Sequence, residues 1–285
     1  MSAAAATETP PSNEALEELV TRALAGDSDA LERLVLALQN GLFRLALRMT
    51  ACPEDAEDAT QEILVKIVTR LESFRGEASL RTWAYRIAVR HVLDRKKSRV
   101  EALALNFERF GADLLDGLAA EPDPDPVLAE EVKRGCTLAM LTCLDRDHRL
   151  AFVLSDVFDL SHEEAADLCS VSQEVYRQRL SRARRTLEAF TRSYCGLVAK
   201  DAPCQCSRRV ARAEELGRLH RETPTLVRLS ALPAAIETAT QEMEGLLSTA
   251  RLFRQHPSYL APAAIAERLQ SAIQGGRGLW TDRVG

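Results

Sequence analysis

Residues 161–187 read SHEEAADLCSVSQEVYRQRLSRARRTL, and they contain two helix starts with a tight turn between them. Ser161 and Glu164 have the spacing of a capping box, in which the serine side chain accepts an early backbone N–H and the glutamate reaches back. This first helix is short, and Ser172 caps a second helix that runs to about residue 191. A short helix, a tight turn and a longer basic helix are typical of a helix-turn-helix, whose second helix enters the major groove of DNA.

The second helix of this pair is rich in arginine. Arginine side chains read guanine edges or hold phosphates, so this helix is a candidate reader of duplex DNA. The alternative is an ordinary helical hairpin with an arginine-rich surface. The candidate DNA-binding residues of the helix-turn-helix are Ser172, Gln173, Arg177, Gln178, Arg179, Arg182, Arg184 and Arg185.

A second basic stretch lies between residues 81 and 99, where Asp94 is the one acid. Trp83 and Tyr85 stand at the start of this helix. Basic side chains beside aromatic rings hold phosphates and stack on, or capture, unpaired bases. A solvated basic face with Trp83 buried in the core is the alternative. The candidate residues of this region are Arg75, Arg81, Trp83, Tyr85, Arg86, Arg90, Lys96 and Lys97.

Helical periodicity extends over most of the chain. Apolar residues recur at three- and four-residue spacing from Ala15 to Arg99, from Val127 to Arg192, and in residues 226–254 and 263–274. Ala and Leu supply most of the apolar content and aromatic residues only 5%, which favours helices over strands. The sequence therefore predicts an all-α protein, with two small helical domains joined by an acidic linker and a helical C-terminal extension.

The linker is predicted from a change in composition at residues 101–126. Acids there face the single base Arg109, and the segment ends in EPDPDP. Proline breaks helices and like charges repel each other, so an extended form is expected. The predicted organisation is a disordered tail 1–14, a first domain 15–100, the linker 101–126, a helix-turn-helix domain 127–192 and the extension 193–285.

The net charge of −5, taken alone, argues against a nucleic-acid binder, but it averages the acidic linker with two concentrated basic helices. No basic cluster followed by an apolar core opens the chain, and no apolar run reaches the roughly 18 residues of a bilayer span, so a cytoplasmic protein without membrane insertion is expected. The sequence shows no Gly-rich phosphate loop, nucleophile elbow or paired-His metal motif, which indicates a protein that is not an enzyme.

Seven cysteines are scattered along the chain. Four of them stand alone in helical patterns and are interpreted as small core hydrophobes. The other three, Cys195, Cys204 and Cys206, fall within twelve residues, and His220 follows as a candidate fourth metal ligand. Thiolates and imidazole suit zinc, whereas a Cys-x-Cys pair also suits copper(I) or a redox switch. A reduced cysteine turn without metal is the remaining alternative, and no other cofactor is expected.

These stretches resemble the extracytoplasmic-function (ECF) group of bacterial RNA polymerase sigma factors. Residues 55–97 read DAEDATQEILVKIVTRLESFRGEASLRTWAYRIAVRHVLDRKK. They are similar to the second conserved domain of that family through an acid-rich helix, Phe-Arg-Gly and Thr-Trp-x-Tyr-Arg-Ile-Ala. Residues 161–187 are similar to its fourth domain. The resemblance covers about Ala15 to Thr191, roughly two-thirds of the chain, and leaves out the extension.

The resemblance implies a transcription initiation factor that binds core RNA polymerase and promoter DNA and helps to open the duplex. The loop of residues 74–79 with the basic aromatic helix would capture the unpaired minus-ten element, and residues 173–185 would read the minus-thirty-five element. An anti-sigma factor is a further expected partner. The alternative is a helix-turn-helix regulator that acts without core polymerase. The residues expected to dock on the largest polymerase subunit are Asp55, Asp58, Gln61 and Glu62.

Three residues depart from the pattern of this family. Ser170 stands where glycine is usual in the turn, Glu174 where a small residue often begins the recognition helix, and Arg90 where asparagine is frequent. A residue other than glycine costs up to about 1 kcal/mol if its φ is positive. The extension has no counterpart in a minimal member of the group, and we expect it to regulate the factor in cis by covering its binding surfaces.

Overall fold

The computed structural model describes residues 11–229, 248–254 and 259–275, and its regular elements there are helical. The α-helices are α1 (Asn13–Leu24), α2 (Ser28–Thr50), α3 (Pro53–Thr69), α4 (Leu80–Asp94), α5 (Arg99–Ala102), α6 (Phe107–Leu115), α7 (Pro126–Thr142), α8 (Arg146–Phe152), α9 (His162–Leu168), α10 (Gln173–Tyr194), α11 (Val210–Glu215), α12 (Thr225–Arg228), α13 (Thr249–Arg254) and α14 (Ala263–Gly275). Short 3-10 turns at Leu71–Ser73 and Cys206–Arg209 accompany them. The all-α prediction is confirmed, although most of the predicted helix 226–254 lies outside the described residues.

The chain divides into two compact units. The first is built from residues 1–46, 56–95 and 260–285, and the second from residues 47–55 and 96–259. The second unit therefore contains the helix-turn-helix, the acidic linker and most of the C-terminal extension. Among the described helices of the extension, α14 belongs to the first unit and α11 to α13 belong to the second.

The first unit has a core of apolar helix faces. Within this unit, the backbone N–H of Ala261 in the C-terminal segment donates to the side-chain oxygen of Asn40 in α2 at 2.9 Å. The buried residues include Leu42 of α2, Ile63 of α3, Ala84 of α4 and Ile265 of α14.

A buried tyrosine organises the helix-turn-helix in the second unit. The Tyr176 side chain of α10 is fully buried, and its hydroxyl donates to the backbone carbonyl of Ala151 at 2.8 Å. The hydroxyl of Ser155 lies 2.9 Å away. The sequence predicts one helix over residues 150–158, but α8 gives way to a π-helical segment at Val153–Val157, opposite this hydroxyl pair.

Helix α13 of the extension packs on the same scaffold. The ring of Phe253 meets that of Phe152 edge to face, with centroids 5.1 Å apart. The hydroxyls of Thr249 and Thr191 lie 2.7 Å apart and are buried. The extension therefore shares a core with the helix-turn-helix.

The acidic linker is more ordered than the sequence predicts. Residues 101–126 include all of α6, so the prediction of an extended form is wrong for the first half of this segment. Phe107 and Phe110 of α6 lie 5.1 and 5.7 Å from the ring of Phe190 in α10. Proline and repulsion between acids favour an extended chain, whereas the burial of aromatic rings favours the helix.

Candidate nucleic-acid interface

Both predicted N-terminal caps of the helix-turn-helix are present. Ser161 Oγ accepts the backbone N–H of Glu164 at 3.2 Å, and the Glu164 carboxylate accepts the backbone N–H of Ser161 at 3.0 Å. The hydroxyl of Ser161, which donates to the Glu164 carboxylate at 2.7 Å, and the Ser161 backbone N–H together hold the pKa of Glu164 below its ordinary value. Ser172 Oγ accepts the backbone N–H of Val175 at 3.2 Å, which fixes the start of α10.

The turn between α9 and α10 passes through a left-handed backbone conformation. Ser170 has a φ of 54°, and the next N–H, that of Val171, donates to the carbonyl of Ala166 at 3.1 Å. Glycine adopts this conformation without a steric penalty, whereas other residues are strained by about 1 kcal/mol. The departure from the family pattern at this position therefore has a cost in stability.

Helix α10 presents one polar and mostly basic face to the surface. Residues at positions 177, 178, 181, 182 and 185 share this face because they recur at helical spacing, and all are exposed. An open cavity along the face is lined by Glu174, Arg177, Gln178, Arg182, Arg185 and His148. His148 comes from α8, and the sequence does not predict its place here, because no local pattern brings α8 beside α10.

Two of the predicted DNA-binding arginines of α10 are held by acids of the protein. Arg184 donates to both carboxylate oxygens of Asp156, at 2.7 and 3.1 Å, and Asp156 is buried. Bonding to Asp156 raises the pKa of Arg184. Arg179 is half-buried and pairs with Asp147 at 2.9 Å. These two arginines fasten α10 to the segments before it.

The loop of residues 74–79 leads into α4. Gly76 has a positive φ of 72°, and Ser79 caps the helix by accepting the backbone N–H of Thr82 at 3.1 Å. The ring centroids of Phe74 and Trp83 are 5.7 Å apart, and both side chains are half-buried. The alternative of a Trp83 in the core is therefore not what the structure shows.

The predicted basic residues near α4 differ in exposure. Arg75, Arg86 and Arg90 are exposed. Arg81 is half-buried and donates to the carbonyl of Pro11 at 3.0 Å. Arg75 and Arg86 thus lie within three residues of the Phe74–Trp83 pair in sequence, whereas Arg90 lies two turns further along α4 and pairs with Asp94 at 3.9 Å.

Tyr85 and the two predicted lysines are placed differently from these arginines. A Cβ added at Gly41 of α2 would lie 2.7 Å from the Tyr85 hydroxyl, so α2 and this half-buried tyrosine approach closely. The sequence predicts that this helix continues to about Lys97. In the structure α4 ends at Asp94, and the next residue, Arg95, has an extended backbone. Lys96 and Lys97 are exposed and belong to the second unit.

The four residues predicted to contact polymerase differ in their surroundings. Asp58 and Glu62 are exposed one turn apart on α3, and Gln61 is half-buried. The carboxylate of Asp55 accepts the backbone N–H of Arg99 at 2.8 Å and so supports the start of α5. Asp58 and Glu62 are thus two exposed acids of this helix, and the Glu62 carboxylate also pairs with Arg95 at 3.8 Å.

Arginines of the extension hold the acidic linker. Arg212 pairs with Asp116 at 2.6 Å, Arg218 with Asp113 at 2.7 Å, and Arg221 with Asp123 at 2.7 Å. We call Arg212, Arg218 and Arg221 the arginine clamp.

The main chain adds to the arginine clamp. The backbone N–H of Ala119 donates to the carbonyl of Arg208 at 3.0 Å, and that of Asp123 to the carbonyl of Ser207 at 3.0 Å. The hydrogen bond from Arg221 lowers the pKa of Asp123. Charge repulsion in the linker is therefore offset by a basic segment that lies far away in the sequence.

The three predicted thiols of the extension belong to one part of the second unit. The backbones of Cys195 and Cys204 form an isolated parallel β-bridge, both thiols are free, and Cys206 packs with Cys195 against one apolar cluster. Burial raises the pKa of Cys136 in α7, and the other three thiols act on it as well, although the sequence suggests a lone core residue. His220 is exposed. Within the described ranges no group of three or more His, Cys, Asp or Glu has the arrangement of a metal site, so the metal stays a prediction.

Comparisons with known proteins match the two predicted DNA-binding regions. The family models for Sigma-70 region 2 and Sigma-70 region 4 match residues 34–101 and 134–187. The ECF RNA polymerase sigma-E factor of Escherichia coli strain K12 is 31% identical over 179 residues, which cover 60% of this chain and 91% of that protein. The RNA polymerase sigma-H factor of Pseudomonas aeruginosa strain PAO1 is 28% identical over 178 residues, with the same coverage. A solved structure of CnrH in complex with the cytosolic domain of CnrY covers 61% of this chain and 96% of that chain, at 22% identity and a TM-score of 0.45.

The chain therefore belongs to the ECF family of RNA polymerase sigma factors, and the resemblance noted in the sequence is confirmed. The matched regions contain α4, α9 and most of α10, whereas the extension lies outside both. Among the described helices, none is long and apolar enough to cross a membrane.

Proposed function

We propose that this chain is a transcription initiation factor that binds core RNA polymerase, recognises the minus-thirty-five and minus-ten promoter elements and helps to open the DNA. The observation that carries this proposal is the exposed basic face of α10, set on a capped helix-turn-helix in a member of the sigma family. The factor does no covalent chemistry, so binding energy alone must drive the opening of the duplex.

In the minus-thirty-five complex, α10 lies in the major groove. Arg182 and Arg185 reach guanine edges or phosphates from the middle of the helix, and Gln178 has the two-sided amide that pairs with adenine. Glu174, near the helix start, repels phosphate and accepts a hydrogen bond from a base edge instead, as cytosine N4 offers. His148 approaches the DNA backbone from α8.

In the minus-ten complex, the surface around Trp83 takes up unpaired bases. Melting costs about 1.4 kcal/mol per base-pair step on average. Stacking of a base on an aromatic ring returns about 1–3 kcal/mol. A few bases held near Phe74 and Trp83, with phosphates on Arg86 and Arg90, therefore offset the melting of a short bubble.

Core polymerase binds the first unit through α3. Asp58 and Glu62 are exposed acids one helical turn apart, which suits a basic docking surface. This contact is electrostatic, so its strength falls with added salt.

The first experiment separates a sigma factor from a regulator that binds DNA alone. Fluorescently labelled chain is titrated with core polymerase and, separately, with minus-thirty-five duplex. A sigma factor binds both, and Asp58→Lys with Glu62→Lys weakens only the binding to core. Glu32→Lys, an exposed acid on α2, is the control. Duplex binding without any core binding would favour the regulator.

The extension regulates the factor in cis by holding its linker. The arginine clamp and two backbone hydrogen bonds keep the acidic linker on the extension. Exposed ion pairs contribute about 0.2–1 kcal/mol each, so the clamp opens when a stronger competitor for either surface binds. Core polymerase, which takes up the linker in the open state, is this competitor.

Charge reversal tests the clamp without removing the shared core. Arg212→Glu with Arg221→Glu raises transcription from the target promoter, and the added changes Asp116→Arg and Asp123→Arg return it toward wild type. Arg22→Glu, which breaks the exposed Arg22–Asp27 pair of α1, leaves output unchanged. Unchanged output from the clamp variant would make the extension a structural element.

A further inference from the structure

A buried histidine of α4 lies between two charged side chains of α3. His91 is only 6% exposed. Its Nδ1 lies 2.6 Å from the ammonium nitrogen of Lys66, and its Nε2 lies 3.5 Å from the Glu62 carboxylate. An ammonium group is only a donor, so Nδ1 accepts, and the neutral ring carries its proton on Nε2, toward Glu62. Lys66 and Glu62, four residues apart on α3, therefore contact opposite sides of one imidazole.

The imidazole of His91 is a neutral acceptor at neutral pH. Burial lowers the pKa of His91, and the nearby charges of Lys66 and Arg95 lower it further. The carboxylates of Glu62 and Asp94 act in the opposite direction without reversing this shift. Only the neutral ring has a nitrogen that accepts a hydrogen bond, so this is the form that binds Lys66.

The contact with His91 decides where the charge of Lys66 lies. A glutamate followed four residues later by a lysine is the favourable order for an ion pair along a helix. Lys66 instead contacts His91, and within the described residues the charged contacts of Glu62 are with His91 and, at 3.8 Å, with Arg95. The Glu62 side chain remains 56% exposed. The imidazole therefore keeps the lysine away from an exposed carboxylate.

We propose that His91 is a positioning residue for polymerase binding, which holds Lys66 inward and so leaves the Glu62 carboxylate open to a basic surface of core polymerase. This inference rests on the proposed docking of α3. His91 is buried, so it acts through these two side chains and not by contact with the partner. Without the imidazole, Lys66 turns to Glu62, and the ion pair within α3 competes with the ion pair to polymerase.

The test is a titration of fluorescently labelled full-length variants with core polymerase. His91→Ala weakens core binding by about 2- to 5-fold, the size expected for the loss of one half-exposed charge pair. Adding Lys66→Gln to His91→Ala restores the wild-type affinity, because no lysine is left to pair with Glu62. Adding Arg70→Gln instead makes the same change in net charge at an exposed residue just after α3, and it does not restore the affinity. His91→Asn, which keeps a side-chain acceptor, binds nearly as wild type.

Unfolding measurements separate this positioning role from a loss of fold. His91→Ala and the double variant with Lys66→Gln both lack the buried imidazole, so urea unfolding gives both a lowered unfolding free energy, whereas only the single variant loses core affinity. Equal core affinity of His91→Ala and wild type would overturn the inference, and so would a loss that Lys66→Gln does not restore. A wild-type chain that does not bind core would overturn the proposed function and this inference together, so the two failures are distinguishable.

Discussion

Arg184 donates to both carboxylate oxygens of Asp156, and this bidentate pair ties α10 to the π-helical segment after α8. Asp156 is buried, whereas about half of the Arg184 side chain is exposed. Arg182, two residues earlier on the same helix, lies on the cavity face instead. Two arginines that are equivalent in the sequence pattern therefore differ in the structure: Arg184 binds an acid of the same chain, and Arg182 lines the exposed cavity.

Replacing each of these two arginines separates DNA binding from stability. Arg182→Ala weakens binding to minus-thirty-five duplex by about 1–3 kcal/mol and leaves the unfolding free energy nearly unchanged. Arg184→Ala lowers the unfolding free energy by about 1–2 kcal/mol, because it leaves the buried Asp156 carboxylate without its charged donor. Duplex titration and urea unfolding of both variants check this; equal losses of affinity with equal stability would contradict it.

Trp83 is predicted to act in promoter opening and not in duplex recognition. Trp83→Ala removes a surface on which an unpaired base stacks, so it reduces the formation of open complex by a factor that corresponds to about 1–3 kcal/mol. Affinity for minus-thirty-five duplex stays at the wild-type value. Permanganate reactivity of promoter thymines measures the opening. Glu72→Ala is the control, because Glu72 is exposed and lies near the same loop. Phe253→Ala is unsuitable as a control, because Phe253 is buried in the core.

The turn at Ser170 offers a gain in stability. Ser170→Gly relieves the strain of a φ of 54° and raises the unfolding free energy by up to about 1 kcal/mol. Ser193→Gly, inside α10, changes it in the opposite direction by about 0.5 kcal/mol. Thermal unfolding of both variants measures whether the unfolding free energy rises in one and falls in the other. A loss of stability in Ser170→Gly would show that the serine is not strained.

A buried ion pair predicts how stability depends on pH. Glu101 is buried beside Arg146 and Arg149, at 2.8 and 2.9 Å. Burial acts to raise its pKa, but hydrogen bonds with Arg146 and the nearby charges hold the pKa at about 2, below the ordinary value of 4.5. The folded state therefore binds this proton less readily than the unfolded chain does. The stabilisation is complete above pH 4.5 and is lost as the pH falls to about 2.

The variant Glu101→Gln isolates this contribution. Its unfolding free energy is lower than that of the wild type at neutral pH, and it decreases less steeply between pH 4.5 and 2. Urea unfolding across this range gives both slopes. Equal slopes would show that the carboxylate does not carry the pH dependence assigned to it.

Local chemistry made part of this structure predictable. The caps at Ser161 and Ser172 depend on residues three positions away, so their spacing is visible in the sequence. The basic composition of α10 is visible for the same reason. What the sequence did not show is which arginine meets an acid of the same chain, because Asp156 lies 28 residues before Arg184.

Long-range pairing accounts for the rest. The acids of the linker, taken alone, predict an extended segment. In the structure Arg212 and Arg221 of the extension pair with two of these acids, and no local sequence pattern predicts that pairing. Cys136 stands alone in the pattern of α7, and the sequence does not show that the thiols of residues 195–206 act together with burial to raise its pKa. His148 likewise becomes part of the α10 cavity only when α8 packs beside α10.

Run-off transcription with purified core polymerase tests the central claim most directly. The template carries the target promoter, and the reactions contain core alone, core with this chain, or core with the Arg212→Glu, Arg221→Glu variant. The account predicts no specific transcript from core alone, a transcript of defined length with the chain, and more of it with the clamp variant. If neither protein yields a specific transcript while both bind the minus-thirty-five duplex, the chain is not a sigma factor in function.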